Sequence, residues 1–328
     1  SQLKTIKRDW EYASGVHGYR PVKPIQQPIQ LGAPFGPSRG KMAHDPTIKA
    51  TPILSRMGVW FFVRGVYLHN KREPMDYSLE VLPEATPEGM DRLLRIVESY
   101  ARAFPIRWAS VISKHGIGME ATLNTARAIQ TSFGWNVSPH LTGRGKSRDD
   151  LSRILESLEQ AGLTSIIAVR GDGPPMPQDP FPTGADLVRA LLALNPDLQV
   201  SVGCYPEGHP ESPDENADLA ALHAKLNAGA SRLITQFTLH PGSLKAFLKR
   251  IRHDGITAPV VAGIASPANP DLVNALATRF GIKQHRYYGQ AVWDALRQEA
   301  FEAGYADVHL FSFNQPFTQT KGGLHAGL

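Results

Sequence analysis

The sequence predicts a (β/α)8 TIM barrel preceded by an irregular Pro/Gly-rich N-terminal extension. Three observations predict it. From Tyr77 onward, eight short apolar runs alternate with helix-patterned segments, the order expected of a parallel barrel. That region is about 250 residues long, the usual size of such a barrel. No G-x-G-x-x-G opens the first strand–helix unit, which disfavours the competing doubly wound open sheet.

Residues 1–70 form the extension and 71–328 the barrel domain. Up to about residue 56, prolines at 21, 24, 28, 34, 37, 46 and 52 interrupt every helical or strand period, so an extended, polyproline-like arm is expected. The aromatic stretch Val59-Trp60-Phe61-Phe62-Val63 demands burial and is expected to cover a flank of the barrel. The strand-like runs are 77–82, 108–113, 136–141, 165–169, 199–205, 232–237, 259–264 and 307–313. Between them Leu151, Ile154, Leu155 and Leu158 fall at i, i+3, i+4 and i+7, and Ser147 with Asp150 starts that helix as a capping box. Met90, Leu93, Leu94 and Val97 repeat the spacing, as do Leu244, Phe247, Leu248 and Ile251. Gly134, Gly162, Gly229, Gly255, Gly281 and Gly304 are read as helix stops. After the last strand the glycine-rich tail shows little helical pattern, so the eighth helix is expected to be short or missing.

Composition narrows the function class. Of the 328 residues 42% are hydrophobic and 20% charged, ordinary for a globular enzyme. The net charge of +5 comes without a dense Lys/Arg stripe, which argues against nucleic acid as a partner. The single cysteine, Cys204, excludes an intramolecular disulfide and an all-cysteine metal site; it reads as a core residue in a reducing cytoplasm. No apolar segment follows the N-terminal lysines as a secretory signal would, and the hydrophobic window 58–68 contains Arg64 and is too short to span a bilayer.

Barrel enzymes carry their chemistry at the carboxyl ends of the strands. Those ends supply Glu80, then His140 in S-P-H-L-T, Arg170-Gly171-Asp172, Tyr205-Pro206-Glu207-Gly208-His209-Pro210-Glu211, Gln236, and His309, Ser312 and Asn314 on the last strand. The fourth strand is the sharpest signal: Ile166-Ile167-Ala168-Val169 runs directly into paired opposite charges on a Gly/Pro loop that cannot be helical. Taken singly each residue has a structural alternative. Glu80 could pair with an interior Arg or Lys, His140 could pack, and Arg170 with Asp172 could close a loop salt bridge. Convergence at one rim favours a site. No metal is expected, because prolines hold Glu207, His209 and Glu211 extended and no H-E-x-x-H occurs. Neither a G-x-S-x-G elbow nor a Walker loop is present.

A-V-R-G-D-G-P-P (168–175), Y-P-E-G-H-P-E (205–211) and I-T-Q-F (234–237) resemble the bacterial 5,10-methylenetetrahydrofolate reductases, and P-H-L-T (139–142), A-D-L-V (185–188) and N-A-G-A (227–230) agree in order and spacing. The resemblance implies a barrel that binds FAD, takes hydride from NADH or NADPH, and interconverts 5,10-methylenetetrahydrofolate and 5-methyltetrahydrofolate in one-carbon metabolism and methionine biosynthesis. The oxidative direction is also open. By this resemblance Glu80 is the general acid, Asp172 lies near flavin and pterin, and Gln236 hydrogen-bonds the pterin. His140, Arg170, Gly171, Asp172, Tyr205, His209, Asp218 and Lys225 match cofactor-binding positions. A cytoplasmic homo-oligomer is implied. A general acid working near neutrality needs apolar surroundings, for which Val81 and Leu82 beside Glu80 are candidates, while Leu79 should alternate away. The alternatives are a flavin-poor folate-binding barrel and a non-catalytic partner subunit. The chain departs from the family pattern in its long N-terminal arm, its shortened tail and four motifs. L-E-V-L-P-E (79–84) replaces F-E-F-F-P-P, and Ile112-Ser113-Lys114 replaces a T-Y-G-like turn. Ala224-Lys225 replaces a basic pair, and Phe237-Thr238-Leu239-His240 replaces an aromatic, acidic run.

Overall fold

The computed structural model describes residues 75–113, 117–171, 178–282, 285 and 288–317, together with the backbone of three strands before them. The chain divides into two compact units, Ser1–Pro74 and Met75–Leu328. In the first, β1 (Ile53–Ser55), β2 (Gly58–Val63) and β3 (Val66–Leu68) form an antiparallel sheet in that order. The irregular arm read up to residue 56 therefore ends earlier. Three residues of β1 are too few to show a period, and their pairing, Leu54 opposite Val59, comes from cross-strand backbone bonds. Residues 1–52, and the side chains of Trp60–Phe62 with their expected packing on the barrel, lie outside the described residues.

The second unit is a closed barrel of eight parallel strands: β4 (Tyr77–Val81), β5 (Ile106–Val111), β6 (Asn136–Thr142), β7 (Ser165–Val169), β8 (Gln199–Cys204), β9 (Arg232–Thr235), β10 (Val260–Ala265) and β11 (Val308–Phe311). All eight match the apolar runs of the sequence. Helices α1 (Pro87–Ala103), α2 (Met119–Phe133), α3 (Arg148–Gln160), α4 (Gly184–Leu194), α5 (Glu215–Asn227) and α6 (Ser243–His253) follow β4 to β9 in turn. Both α7 (Pro270–Arg279) and α8 (Gln290–Ala303) lie between β10 and β11. The Ser147–Asp150 capping box is formed on α3, and the six predicted stop glycines all have positive φ.

Strand alternation sorts the side chains. Leu79, Val81, Val200, Val202 and Cys204 are fully buried toward the helices. Trp108, Ile167, Ile234 and Val261 fill the barrel axis as a separate apolar plug. Beneath it, Trp108 Nε1 donates to Asp307 Oδ2 at 3.0 Å and the Arg232 guanidinium lies 5.2 Å from the Trp108 ring. Cys204 is inert core: burial pushes its thiol up to about 12.

No helix follows β11 among the described residues. Instead Phe317 enters an aromatic cluster with Tyr100, Phe104 and Trp293, at ring distances of 5.5, 4.8 and 5.8 Å, and its N–H is bonded to Ser99 Oγ at 2.9 Å. Phe317 thus packs into the flank between α1 and α8.

Candidate active site

Glu80 is the next-to-last residue of β4 and points into the barrel, because its neighbours Leu79 and Val81 both point out. The expectation that Val81 helps line its pocket is therefore corrected: one step along a strand reverses the face. Its actual surroundings are two imidazoles. Glu80 Oε2 lies 3.5 Å from His140 Nε2 and 3.7 Å from His309 Nε2, and its side chain is only 14% exposed. Among the described residues no Arg or Lys reaches ion-pair distance of it.

The two histidines differ in their support. His309 is fully buried, stacked 4.8 Å from Trp108, with Nδ1 2.8 Å from Ser78 Oγ and Nε2 3.1 Å from Ser110 Oγ. Ser78 Oγ also reaches Val308 O at 3.3 Å, an arrangement in which Nδ1 carries the imidazole proton and Nε2, shared with Ser110 Oγ, is an acceptor facing Glu80. His140 Nε2 is buried without a hydrogen bond. Burial pushes its pKa down to about 4, with Glu80 acting in the opposite direction and His309 in the same one. A neutral His140 imidazole therefore stands beside Glu80. The site has a carboxyl between two imidazole nitrogens, above a barrel interior that pairs the apolar plug with Ser78, Ser110, Arg232 and Asp307.

A second cluster occupies the exits of β7 and β8. Arg170 donates to Glu211 Oε2 at 2.6 Å and to Gly171 O at 3.2 Å. That hydrogen bond holds the Glu211 carboxyl below the usual range. Glu211 N–H donates to His209 Nδ1 at 3.1 Å, His209 N–H to Asp218 Oδ2 at 2.9 Å, and the Tyr205 ring meets the His209 ring edge-on at 4.5 Å. Partial burial pushes the His209 imidazole down. Gly171 (φ +98°) sits where an added Cβ would lie 2.4 Å from Thr142 Cγ2 and 2.8 Å from Arg144 Cβ, so this exit packs tightly on that of β6.

Lys225 reaches in from the last turn of α5 and donates to Gly203 O at 2.9 Å. Burial lowers its pKa, against smaller opposing effects of Cys204 and Asp218. Gly203 faces inward by alternation, and an added Cβ there would meet nothing within 4 Å. A buried ammonium beside a bare, open stretch of strand suits an anionic group with a flat body. These residues could hold such a cofactor. Among the described residues no group of three or more His, Cys, Asp or Glu could hold a metal ion, and no helix is long and apolar enough to cross a membrane.

The structure brings Glu80 and His140 together, and gathers Arg170, Gly171, Tyr205, His209, Asp218 and Lys225 at the β7–β8 rim. Gln236 stands at the exit of β9, its N–H bonded to Cys204 O and its Oε1 accepting from Phe237 N–H at 3.0 Å; among the described residues no hydrogen bond links it to Glu80. Asp172 lies outside the described residues. Sequence reasoning noticed His309 at a strand end but not its part in the site. The signal was the inward parity of Ser78 and Glu80 on one strand and of His309 and Phe311 on another. It becomes readable only once barrel closure sets Ser78 beside His309 and Glu80 beside Phe311.

Residues 67–282, more than half of the chain, match the family model for methylenetetrahydrofolate reductase. The chain is 34% identical over 196 residues to 5,10-methylenetetrahydrofolate reductase of Salmonella typhimurium, covering 60% of this chain and 66% of the relative, so the match spans just under two thirds of that protein's length. It is 30% identical over 227 residues to the Escherichia coli protein of the same name, covering 69% and 76%. Among solved structures, an uncharacterized protein from Clostridium thermocellum that binds two copies of 5-methyl-5,6,7,8-tetrahydrofolic acid superposes with a TM-score of 0.52 over 72% of this chain and 88% of that one; at 13% identity this likeness speaks for the fold alone. With its barrel, its rim motifs and these relatives, the chain belongs to the methylenetetrahydrofolate reductase family.

Proposed function

We propose that this chain interconverts 5,10-methylenetetrahydrofolate and 5-methyltetrahydrofolate, with FAD held at the β7–β8 rim and NADH or NADPH as the reductant. The observation that carries the reading is the Glu80 carboxyl held between two imidazole nitrogens with no cationic partner among the described residues. In such a setting a carboxyl can hold a proton and release it to a substrate nitrogen. Protonation of N10 by Glu80 breaks the bond from N10 to the bridging carbon and opens the five-membered ring to an N5 iminium, the species able to accept hydride. His309 Nε2, fixed by Ser78 and Ser110, sets an acceptor beside the Glu80 oxygen that can receive the proton Glu80 takes from N10 in the oxidative direction; in the reductive direction Glu80 regains its proton from solvent.

FAD, when bound, would supply two-electron hydride transfer between a nicotinamide and the folate carbon. Lys225 and Arg170 would offset its negative charge, the open wall at Gly203 would admit its ring system, and His140, Gly171, Tyr205, His209 and Asp218 would complete the cradle. Gln236, whose Oε1 is engaged by Phe237 N–H, has its amide NH2 to offer a pterin acceptor. Asp172 is assigned, on the R-G-D motif alone, to the neighbourhood of flavin and pterin.

An absorbance spectrum with and without added FAD, followed by stopped-flow measurement of each half-reaction, tests the proposal. Glu80→Gln should lower the folate half-reaction by about 100-fold or more while leaving flavin reduction by NAD(P)H near wild type. A colourless protein that binds folate but never FAD, or a Glu80→Gln protein with both half-reactions intact, overturns it.

A further inference from the structure

Beyond Val81, the main chain of β4 leaves the barrel sheet, yet its polar groups remain tied. Leu82 N–H donates to Asn314 Oδ1 at 2.9 Å, and Leu82 O accepts from Asn314 Nδ2 at 3.2 Å. One carboxamide therefore pairs with both backbone groups of Leu82, as a neighbouring strand would, and extends the β4–β11 pairing beyond the end of β11. Two residues earlier, the carbonyl of Glu80 itself accepts from Ser312 Oγ at 2.6 Å and from Ser312 N–H at 3.3 Å.

The orientation of the Asn314 carboxamide is fixed by Glu84, the last residue of the stretch that departs from F-E-F-F-P-P. Glu84 Oε1 lies 3.3 Å from Asn314 Nδ2 and, as a pure acceptor when ionised, demands the NH2 on that side. Glu84 is anchored in turn on α2, where its N–H donates to Thr125 Oγ1 at 3.1 Å and its carbonyl accepts from the same hydroxyl at 3.4 Å. Gly89 leaves it room: an added Cβ there would lie 2.5 Å from Glu84 Oε2. Asn314 holds its place in the left-handed region, φ 52°, directly after Phe313 at φ 49°. Consecutive non-glycine residues with such φ are disfavoured, and they persist where surrounding contacts over-determine them.

We infer that Asn314, oriented by Glu84, is a positioning residue for Glu80: it locks the β4 exit to β11, the strand that also carries His309, and so keeps the carboxyl in register with its proton acceptor. The inference rests on the proposed role of Glu80 as the acid. It separates proton delivery from folate binding, because the clamp touches the backbone behind Glu80.

The test uses the FAD-loaded enzyme and three variants. Asn314→Asp sets an oxygen against Leu82 O and the Glu84 carboxylate. Adding Glu84→Gln restores a donor and an acceptor with their positions exchanged. Asn314→Gly removes the carboxamide while suiting the left-handed backbone. The expected result for Asn314→Asp and Asn314→Gly is a fall of about 10- to 100-fold in the single-turnover rate of prereduced enzyme with methylenetetrahydrofolate, together with a shifted pH profile. Reduction by NAD(P)H should change less than about 2-fold, and the calorimetric affinity for 5-methyltetrahydrofolate less than about 3-fold. Glu84→Gln in the Asn314→Asp background should recover about 10-fold of the lost rate. The inference is overturned if the variants keep the wild-type folate rate, or if both half-reactions fall in parallel with melting temperature and the double variant gives no rescue. Failure of the underlying reading looks different: there Glu80→Gln itself leaves the folate half-reaction intact.

Discussion

Acidification should loosen the barrel through one imidazole, and the size of the effect follows from where that imidazole sits. The His140 side chain is 15% exposed, its Nε2 has no hydrogen bond, and burial brings its pKa from an ordinary 6.5 to about 4. In the folded protein it stays neutral down to about pH 4, whereas in the unfolded chain it takes a proton near pH 6.5. Between those values the unfolded state binds more protons, so the stability conferred by neutral His140 is complete above pH 6.5 and is lost as the pH falls towards 4. The full step corresponds to about 3 kcal/mol, of which about 2 kcal/mol is lost between pH 7.5 and pH 5. Urea unfolding of wild type and His140→Gln, followed by tryptophan fluorescence at pH 7.5, 6 and 5, measures it. The glutamine cannot titrate, so that variant should lose about 2 kcal/mol less stability over the interval. His209, whose imidazole is also pushed down, is present in both proteins, and the difference isolates position 140. Parallel losses in the two proteins would refute the argument, and with it the neutral imidazole beside Glu80.

Other perturbations report on separate parts of the structure. Gly263→Ala would place a methyl 2.2 Å from Thr235 O and 2.8 Å from Phe311 Cε2 on the inner wall; it should cost about 2–3 kcal/mol in thermal or urea unfolding, since a backbone oxygen in a closed barrel cannot yield. Phe317→Ala empties the flank between α1 and α8 and should destabilise by about 2–3 kcal/mol, seen as a melting temperature lower by about 5–10 °C. Lys225→Met exchanges a buried ammonium for an apolar chain of similar length; the melting temperature of FAD-free protein should hold or rise, while FAD affinity by titration falls about 10-fold or more.

Much of the fold was legible because local pattern and global need agree. The run Ile166–Val169 has to be covered on both faces, and it is, by the axial plug on one side and the helices on the other. The capping box at Ser147 and the glycines after the helices act over three or four residues, so a linear reading finds them. The end of the barrel was less legible. The glycine-rich tail suggested a short or missing final helix, but the place of Phe317 could not be inferred, because a phenylalanine meeting three aromatic rings from α1 and α8 leaves no period in the sequence.

The site divides along the same line. Residues held by short loops could be grouped from their motifs: Arg170 and Glu211 come from separate motifs, yet each stands at a strand exit, and adjacent exits meet. What gives Glu80 its character could not be read this way. Ser78 and His309 are 231 residues apart, and only the closure of β11 on β4 sets the imidazole beside the hydroxyl and the carboxyl. A register slip of one residue on β11 would turn His309 toward the helices and bring Leu310 inward, leaving the fold class unchanged and the acid without its acceptor. The chemistry thus depends on a register that no single stretch of sequence encodes, and the bonds from Ser312 to Glu80 and from Asn314 to Leu82 are placed where they oppose such a slip.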